Sequence, residues 1–386
     1  MSELASEPSA QSDKAIQAWR DLCAQLERLG TEVIGEGYAS ADPLEMLEHL
    51  ADQTVCWLGW SVFHADAARP SFHRSNDLVT QYGGPNADNV YRHALIDPAK
   101  RYRIAGKMHG CDDFLLTLRA GFMHEPVYGT LADHTASDLG IRPGEDFELV
   151  LGGDGIPIPE GVRMATIREY YFDWTAEEPA TFTIECLDPA GPELPLTDDL
   201  LAARLRDAGA AIEHSVSYWA RYLDDVWERQ EPNRFAPSHR GAKGLNLAQY
   251  AFCMFDLAPD EALVVDTDLA PARYWSMHLY PMGTFAHMDV VNTVTSLNHR
   301  QAEIGDDGRL HAVVSAGDPG VANWLATGGR RRGLLTYRWF WPTGDGTPAP
   351  EARVVKLADL DGPVGPEQRA AIQADRRAHL AWRFRE

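Results

Sequence analysis

Apolar residues recur at intervals of three and four from 13 to about 33. Ile16, Trp19, Leu22, Leu26 and Leu29 form the stripe, and Gly30 ends the run. That spacing predicts an amphipathic helix. A second helix is predicted after Asp42-Pro43, where Asp42 can cap and Pro43 can occupy the first helical position. It carries Met46, Leu47, Leu50, Val55, Trp57, Leu58, Trp60 and Phe63, so its latter half is apolar nearly all round and is expected to lie buried against a sheet. The period then changes to two. Runs starting at Tyr91 and covering 101–105, 114–120, 147–152, 162–173 and 181–187 predict about half a dozen antiparallel strands. From 196 to about 231 the helical period returns, with Leu201, Leu205, Ala208, Ile212, Trp219, Leu223 and Val226 as its stripe. This is one long helix or a broken pair, and it connects the first β unit to a second. Further strands are predicted over 250–257, 262–267, 274–280, 310–315, 333–341 and 352–357. A closing helix, rich in Ala, Arg and Gln, is expected over 366–385.

Within the second unit, 272–281 is the most informative stretch. Tyr274, Ser276, His278 and Tyr280 alternate with Trp275, Met277 and Leu279. It is echoed by Asn323-Trp324-Leu325 and by Tyr337-Arg338-Trp339-Phe340-Trp341. Such strands suit the wall of an apolar pocket with a few polar groups. They suit equally a sandwich core whose aromatic polar ends bond at the rim.

Composition narrows the function classes. A chain of 386 residues is long for one core, so two or three compact units are expected. Asp and Glu (57) outnumber Lys and Arg (35), giving a formal charge of −22. This disfavours nucleic acid and anionic membranes as partners, since phosphate binding needs concentrated positive charge. The basic triplet at Arg330-Arg331-Arg332 is short and is expected to be a solvated turn. No apolar run reaches the roughly 20 residues of a membrane span. The acidic, polar start lacks a signal-peptide pattern, so 1–12 is expected to be a disordered lead and the protein cytoplasmic. The five cysteines are scattered without a C-x-x-C pair, which predicts buried free thiols rather than disulfides or zinc. Neither a G-x-G-x-x-G after a strand nor a Walker sequence is present, and no cofactor is expected.

Four groups of residues have chemistry to offer. Asn86, Asp88, Asn89, Tyr91 and Arg92 lie in a Gly/Pro/Asn/Asp turn, able to fix a ligand's polar end or only their own backbone. Arg168 to Trp174, with Glu185 on a later strand, place Glu169 and Asp173 among aromatic residues. A carboxylate so walled can act as a general acid or base. An Arg–Glu cross-strand pair is the structural alternative. His278, Tyr280, His287, Asp289 and Asn292 match no metal-ligand spacing, and proton transfer by His278 beside Tyr280 is preferred to a metal. Asn298, Asn323, Trp324, Tyr337 and Arg338 form the last group, where Arg338 can hold an anionic group by bidentate bonds or cap internal carbonyls. No G-x-S-x-G elbow is found, which disfavours nucleophilic serine chemistry.

The segments Arg273–Tyr280, 307–310, 323–325 and 337–342 together resemble the bacterial domain of unknown function numbered 1214. Upstream, Gly84-Pro85-Asn86-Ala87-Asp88-Asn89-Val90-Tyr91 is similar to the signature of its usual companion, numbered 1254, with Asn89 where Thr is usual. The resemblance implies tandem jelly-roll-like β-sandwiches with helical additions, often oligomeric, and no settled activity. The expected fold is therefore mainly β with helical additions: two β-sandwich or jelly-roll-like units joined by a long helix. Its segments are the lead at 1–12, N-terminal helices at 13–75, a first β-sandwich at 76–195, a helical connector at 196–248, a second β unit at 249–362 and a C-terminal helix at 363–386.

The expected function is cofactor-independent general acid–base chemistry, as a lyase, isomerase or hydrolase, on a small, largely apolar terpenoid, steroid or aromatic molecule. His278, Tyr280, Asp173 and Glu169 are the proton-transfer candidates. Asn86, Tyr91, Arg92, Trp275, Asn323, Trp324 and Arg338 are the substrate-binding ones. The alternatives are a non-catalytic small-molecule-binding or homo-oligomeric assembly protein, and a carbohydrate-active jelly roll using a carboxylate pair.

Overall fold

The computed structural model describes residues 13–35, 41–77, 79–173, 178–188, 191, 195–240 and 247–360, with positions 367, 370, 371, 374, 377 and 378. The expected lead at 1–12, Trp174 and most of the C-terminal helix lie outside the described residues. The described positions from 367 to 378 are helical.

The protein is mostly β, with helical additions, and its strands form two sandwiches. In the first, β1 (Asn89–Leu95), β3 (Asp113–Gly121), β4 (Gly129–Thr135) and β6 (Met164–Tyr170) make one antiparallel sheet in the order β1-β6-β3-β4. The facing sheet has β2 (Tyr102–Lys107) between β5 (Asp146–Leu151) and β7 (Thr181–Cys186). Strand alternation sends Val90, Ile104, Phe114, Leu116, Leu118, Ile167 and Phe182 into the space between them. Burial of each such side chain contributes roughly 1.5–3 kcal/mol.

A short two-strand stretch, β8 (Arg234–Phe235) and β9 (His239–Arg240), leads into the second sandwich through β10 (Ala248–Asp256). Its first sheet adds β12 (Ala272–Tyr280), β13 (Ser296–Asn298) and β16 (Arg332–Pro342), in the order β13-β12-β16-β10-β8. The second contains β11 (Glu261–Thr267), β14 (Leu310–Ser315), β15 (Trp324–Ala326) and β17 (Glu351–Lys356), ordered β15-β14-β11-β17. Trp275, Met277, Leu279, Leu335, Tyr337 and Trp339 fill the core, opposite Leu263, Val265, Ala312 and Val314. β4 and the short β8, β9, β13 and β15 are additional to the strands expected from alternation. They are polar, half-exposed or only two to three residues long, so they carry almost no period-two signal.

Three helices form a separate layer. α1 (Asp13–Gly35) and α2 (Pro43–Leu58) pack against the 32-residue α3 (Asp198–Arg229). Asp42 caps α2 by accepting from Leu44 and Glu45 N, and Thr197 Oγ1 caps α3 by accepting from Leu200 N. The α1 stripe is rotated from the expected one: Ala15, Ala18, Leu22 and Leu29 are buried, whereas Ile16 and Trp19 are exposed. Small alanines let α1 approach α3 closely, and an apolar count weighted toward large side chains points to the wrong face. Val55 and Phe63 are likewise exposed, so the end of the second helix is not buried all round. Among the described residues no helix is long and apolar enough to cross a membrane.

The two sandwiches meet through the outer faces of their β6- and β12-containing sheets. Leu115, Tyr170 and Phe172 pack there on Tyr274, Ala248 and Phe340. α3 lies along this seam. Trp219 and Leu223 join Tyr82 and Phe122 from the first unit and Phe252, Tyr280 and Phe285 from the second in one apolar cluster.

Candidate functional site

The seam closes over only part of its length, because the residues on the two outer faces are not all apolar. What it leaves is a cavity of about 510 Å³ between the two sheets, roofed by α3. That lies within the roughly 300–1,000 Å³ of small-molecule sites. Tyr218, Trp219, Tyr222, Phe252 and Phe285 make an aromatic wall. Into the same space β3, β6 and β16 direct Arg119, Arg168 and Arg338, and no Asp or Glu among the described residues lines it.

The arginines come from strand alternation. On β3 and β6 the inner positions hold Phe114, Leu116, Leu118 and Ile167, which leaves Arg119 and Arg168 on the outer face. Arg119 is 9% exposed and Arg338 is 4% exposed. Arg338 donates to Gly84 O at 3.2 Å and to the Tyr280 hydroxyl at 2.5 Å. Arg168 lies over the Tyr91 ring at 5.1 Å. Yet Arg119 Nε and Nη2, Arg168 Nε, Arg338 Nε and Trp219 Nε1 have no acceptor among the described residues. Each buried donor left unmatched costs about 1–3 kcal/mol, more for a charged group. Burial, and then the Arg168 charge, push the Arg119 guanidinium down to about 10. The protein has therefore concentrated positive charge and unmet donors in one aromatic-walled space, despite being strongly acidic overall.

The loop carrying Asn86 seals one end. Gly83 and Gly84 have φ of +71° and +63°, and a Cβ on them would sit 2.8 Å from Trp219 and 2.4 Å from Phe285, so only glycine fits this close approach. Asn86 Nδ2 donates to Tyr274 Oη at 2.8 Å, and its backbone N donates to Tyr91 Oη at 2.8 Å. Tyr274 in turn donates to Asp88 Oδ2 at 2.6 Å. Ser276 Oγ lies 2.8 Å from both Tyr274 Oη and His278 Nε2. Burial, and then the Asp88 carboxylate, push the Tyr274 phenol well above its ordinary value, which keeps it a donor. Asp88, Tyr274, Ser276 and His278 thus form one buried polar chain behind the cavity wall. It joins the 84–91 loop to β12.

Several of the candidates from sequence meet here. Tyr91 and Arg338 line the cavity, Tyr280 binds Arg338 from behind, and Asn86 and His278 belong to the polar chain. The others do not reach it. Glu169 points into the first sandwich, where its Oε1 accepts from Arg92 Nε at 2.6 Å and its Oε2 accepts from Tyr171 Oη at 2.7 Å. Alternation on β1 and β6 gives Arg92 and Glu169 the inner face, opposite to Tyr91 and Arg168. Trp275 is packed in the second sandwich core. Asn323 holds a turn, donating to Glu303 O and His311 O, and Trp324 donates to Ser315 Oγ at 3.0 Å. Asp173 is exposed beyond the end of β6.

The cavity residues that the sequence reading undervalued are Arg119, His93, Tyr250 and the α3 aromatics. Arg119 carries a usable signal, a charge within 114–120, where the other residues save Thr117 are apolar. Nothing in α3's sequence distinguishes Tyr218, Trp219 and Tyr222 from ordinary core residues. His278 and His287 have ring centroids 6.1 Å apart, and among the described residues no cluster of three or more His, Cys, Asp or Glu is placed to hold a metal.

A solved structure of an uncharacterized protein from Burkholderia cenocepacia is similar to this chain, with TM-score 0.82 and 26% identity over 91% of this chain and all 100% of that one. The VPA0106 protein from Vibrio parahaemolyticus aligns at TM-score 0.44 and 11% identity, covering 86% of this chain and 99% of that one. No curated protein matches the chain. Residues 256–344, the greater part of the second sandwich, match the family described as "Protein of unknown function (DUF1214)".

Proposed function

We propose that the cavity between the sandwiches binds a small organic anion with a largely apolar, aromatic or alicyclic body. One observation carries this: Arg119, Arg168 and Arg338 line it with unmet N–H donors and no carboxylate among the lining residues. A carboxylate, sulfonate or sulfate supplies the missing acceptors, and guanidinium groups bind such groups in a fork geometry. The aromatic wall takes the body of the ligand. The loop at Gly84–Tyr91 that resembles the 1254-numbered signature fits this role, since it orders Tyr91 and receives Arg338. The carbohydrate alternative lacks this support: Glu169 is locked to Arg92, Glu185 is paired with Arg103, and Asp173 is exposed.

Titration with 8-anilinonaphthalene-1-sulfonate against its uncharged analogue N-phenyl-1-naphthylamine tests the proposal. The sulfonate is expected to bind one site about tenfold or more tightly, since a hydrogen bond to a charged group contributes about 1.5–3 kcal/mol. Arg119→Met and Arg168→Met are each expected to remove that preference. Equal binding of the two compounds would sink the idea.

Acid–base catalysis on the bound anion is the second part of the proposal, favoured by the imidazole of His93 in the cavity wall. Homo-oligomerisation is the third. It is supported by Ile16 and Trp19 standing exposed on α1, and light scattering on the purified chain tests it.

A further inference from the structure

The outer face of the β1-β6-β3 sheet has a register that bears on chemistry. Tyr91 pairs with Arg168, which pairs with Leu115; His93 pairs with Thr166, which pairs with Thr117; and Arg119 pairs with Met164. His93 therefore sits one row from Arg168 and one row from Arg119, on the same face. An anion bridging the two guanidiniums lies over the Thr117–Thr166 row, with the imidazole beside it.

The imidazole is built in. Ser75 Oγ lies 2.6 Å from its Nδ1, and the Phe122 ring packs at 5.1 Å. The tautomer in which Nδ1–H donates to Ser75 Oγ leaves the lone pair on Nε2, the nitrogen available to a bound molecule as a base. We infer that His93 is a proton-transfer group acting on a carbon acid whose carboxylate is held by Arg119 and Arg168. This rests on the anion-binding proposal above and adds a substrate class, 2-oxo and 3-oxo acids with an apolar side chain. Only a carbonyl-activated C–H, one or two bonds from the carboxylate, is both near the imidazole and acidic enough for it.

For a 2-oxo acid the step is an enolisation. The C3–H bond breaks, and its electron pair becomes the C2–C3 π bond while negative charge collects on the C2 oxygen. The proton passes to His93 Nε2, and the imidazolium then returns it to that oxygen or to C3. Nothing is oxidised or reduced, and no co-reactant is consumed. The charged and titratable groups facing His93 are Arg119 from β3, Arg168 from β6 and His73 from the preceding segment. Burial, and then these groups, hold the imidazole well below its ordinary value, so it is neutral at pH 7. A bound carboxylate opposes the two arginine charges and so strengthens His93 as a base when substrate is present.

The test follows deuterium uptake at C3 of phenylpyruvate in heavy water by proton NMR, with affinity measured in parallel by calorimetry. The chain is expected to speed exchange by about 100-fold or more over buffer, the lower end of general-base catalysis. His93→Gln is expected to lose that acceleration while keeping affinity within about threefold, and His93→Asn serves if the first variant does not fold. Ser75→Ala, a positioning change, is expected to lower the rate less than either. Binding without acceleration, or full acceleration in a folded His93 variant, overturns the role of His93 alone. Failure of phenylpyruvate to bind the wild-type chain overturns the substrate class, and if the naphthalene sulfonate preference is also missing, the anion site with it.

Discussion

Two neighbouring residues on one strand, Arg168 and Glu169, face opposite sides of the same sheet and meet opposite electrostatic solutions. On the inner side Glu169 is fully buried, and its charge is matched within the fold by Arg92, with Tyr171 satisfying the second oxygen. On the outer side Arg168 and Arg119 share a buried space with aromatic rings, and no carboxylate among the described residues lines it. A buried charge costs several kcal/mol unless a counter-charge accompanies it. The first sandwich supplies that partner from its own chain; among the described residues the seam does not, and on this difference rests the proposal that the seam takes a ligand.

Removing a charge from each side breaks or sharpens the contrast. Glu169→Ala is expected to produce the largest effect, a loss of about 3–5 kcal/mol, because Arg92 is left buried without its counter-ion. Urea denaturation measures it, and a loss under about 1 kcal/mol would mean that the pair is not what holds that core. Arg119→Met should act with the opposite sign. Replacing an unmatched buried charge by an apolar side chain of similar length is expected to stabilise the ligand-free protein by about 1–4 kcal/mol. The same change should remove the stabilisation given by saturating naphthalene sulfonate. A variant that is destabilised, yet still stabilised by the sulfonate, would show that Arg119 serves the fold and not a ligand.

The imidazoles extend the comparison to pH. Burial, and then the charges of His214 and Arg119, push His124 down to about 3; burial, and then His64, push His73 down to about 4. Their folded values lie below the unfolded value of about 6.5, so the unfolded chain binds protons that the folded chain refuses. Stability is thus complete above pH 6.5 and falls on acidification, by up to about 1.4 kcal/mol per pH unit for each such group. Asp52, Asp112 and Glu125 are raised chiefly by burial and act in the opposite direction, as the pH falls through their raised folded values. Between pH 7 and about 5.5 the histidines decide the sign. Denaturant midpoints at the two values should show the loss, and His124→Phe, which keeps the stacking on Phe122, should reduce its slope.

Much of this architecture was legible in the chain. The period-two runs located the principal strands of both sandwiches, and the faces of β12 follow the alternation of Tyr274 to Tyr280 residue for residue. The long stripe through Trp219 located α3. What alternation cannot supply is which of two buried faces is a closed core and which is a seam. Glu169 and Arg168 look equally promising in sequence, as do Trp275 and Tyr274. Only the packing of one sheet on another separates them. The cavity is also assembled from β1, β3, β6, β10, β16 and α3, so its arginines lie more than 200 residues apart along the chain, from Arg119 to Arg338. No local motif holds them together.

The smallest expected effect lies on the outer face of the second sandwich, where the histidine logic reverses. His311 Nδ1 lies 2.6 Å from Asp266 and its Nε2 lies 3.1 Å from Asp307, with Arg353 also on Asp266. The hydrogen bond to Asp266 first, against partial desolvation, raises the His311 imidazole above its ordinary value. A raised folded value means that the folded chain keeps a proton the unfolded chain has released. This contribution is therefore fully present below about pH 6.5 and is lost as the pH rises through the folded value. His311 is 45% exposed, so water and salt screen the pair, and its worth is expected below about 1 kcal/mol. Wild type and His311→Gln should therefore differ slightly in denaturant midpoint at about pH 6 and converge by about pH 9, with the difference shrinking in about 1 M salt. A gap that instead widens with pH would assign the residue a packing role, and would leave the depressed buried histidines, His124, His73 and His93 among them, to set the pH dependence.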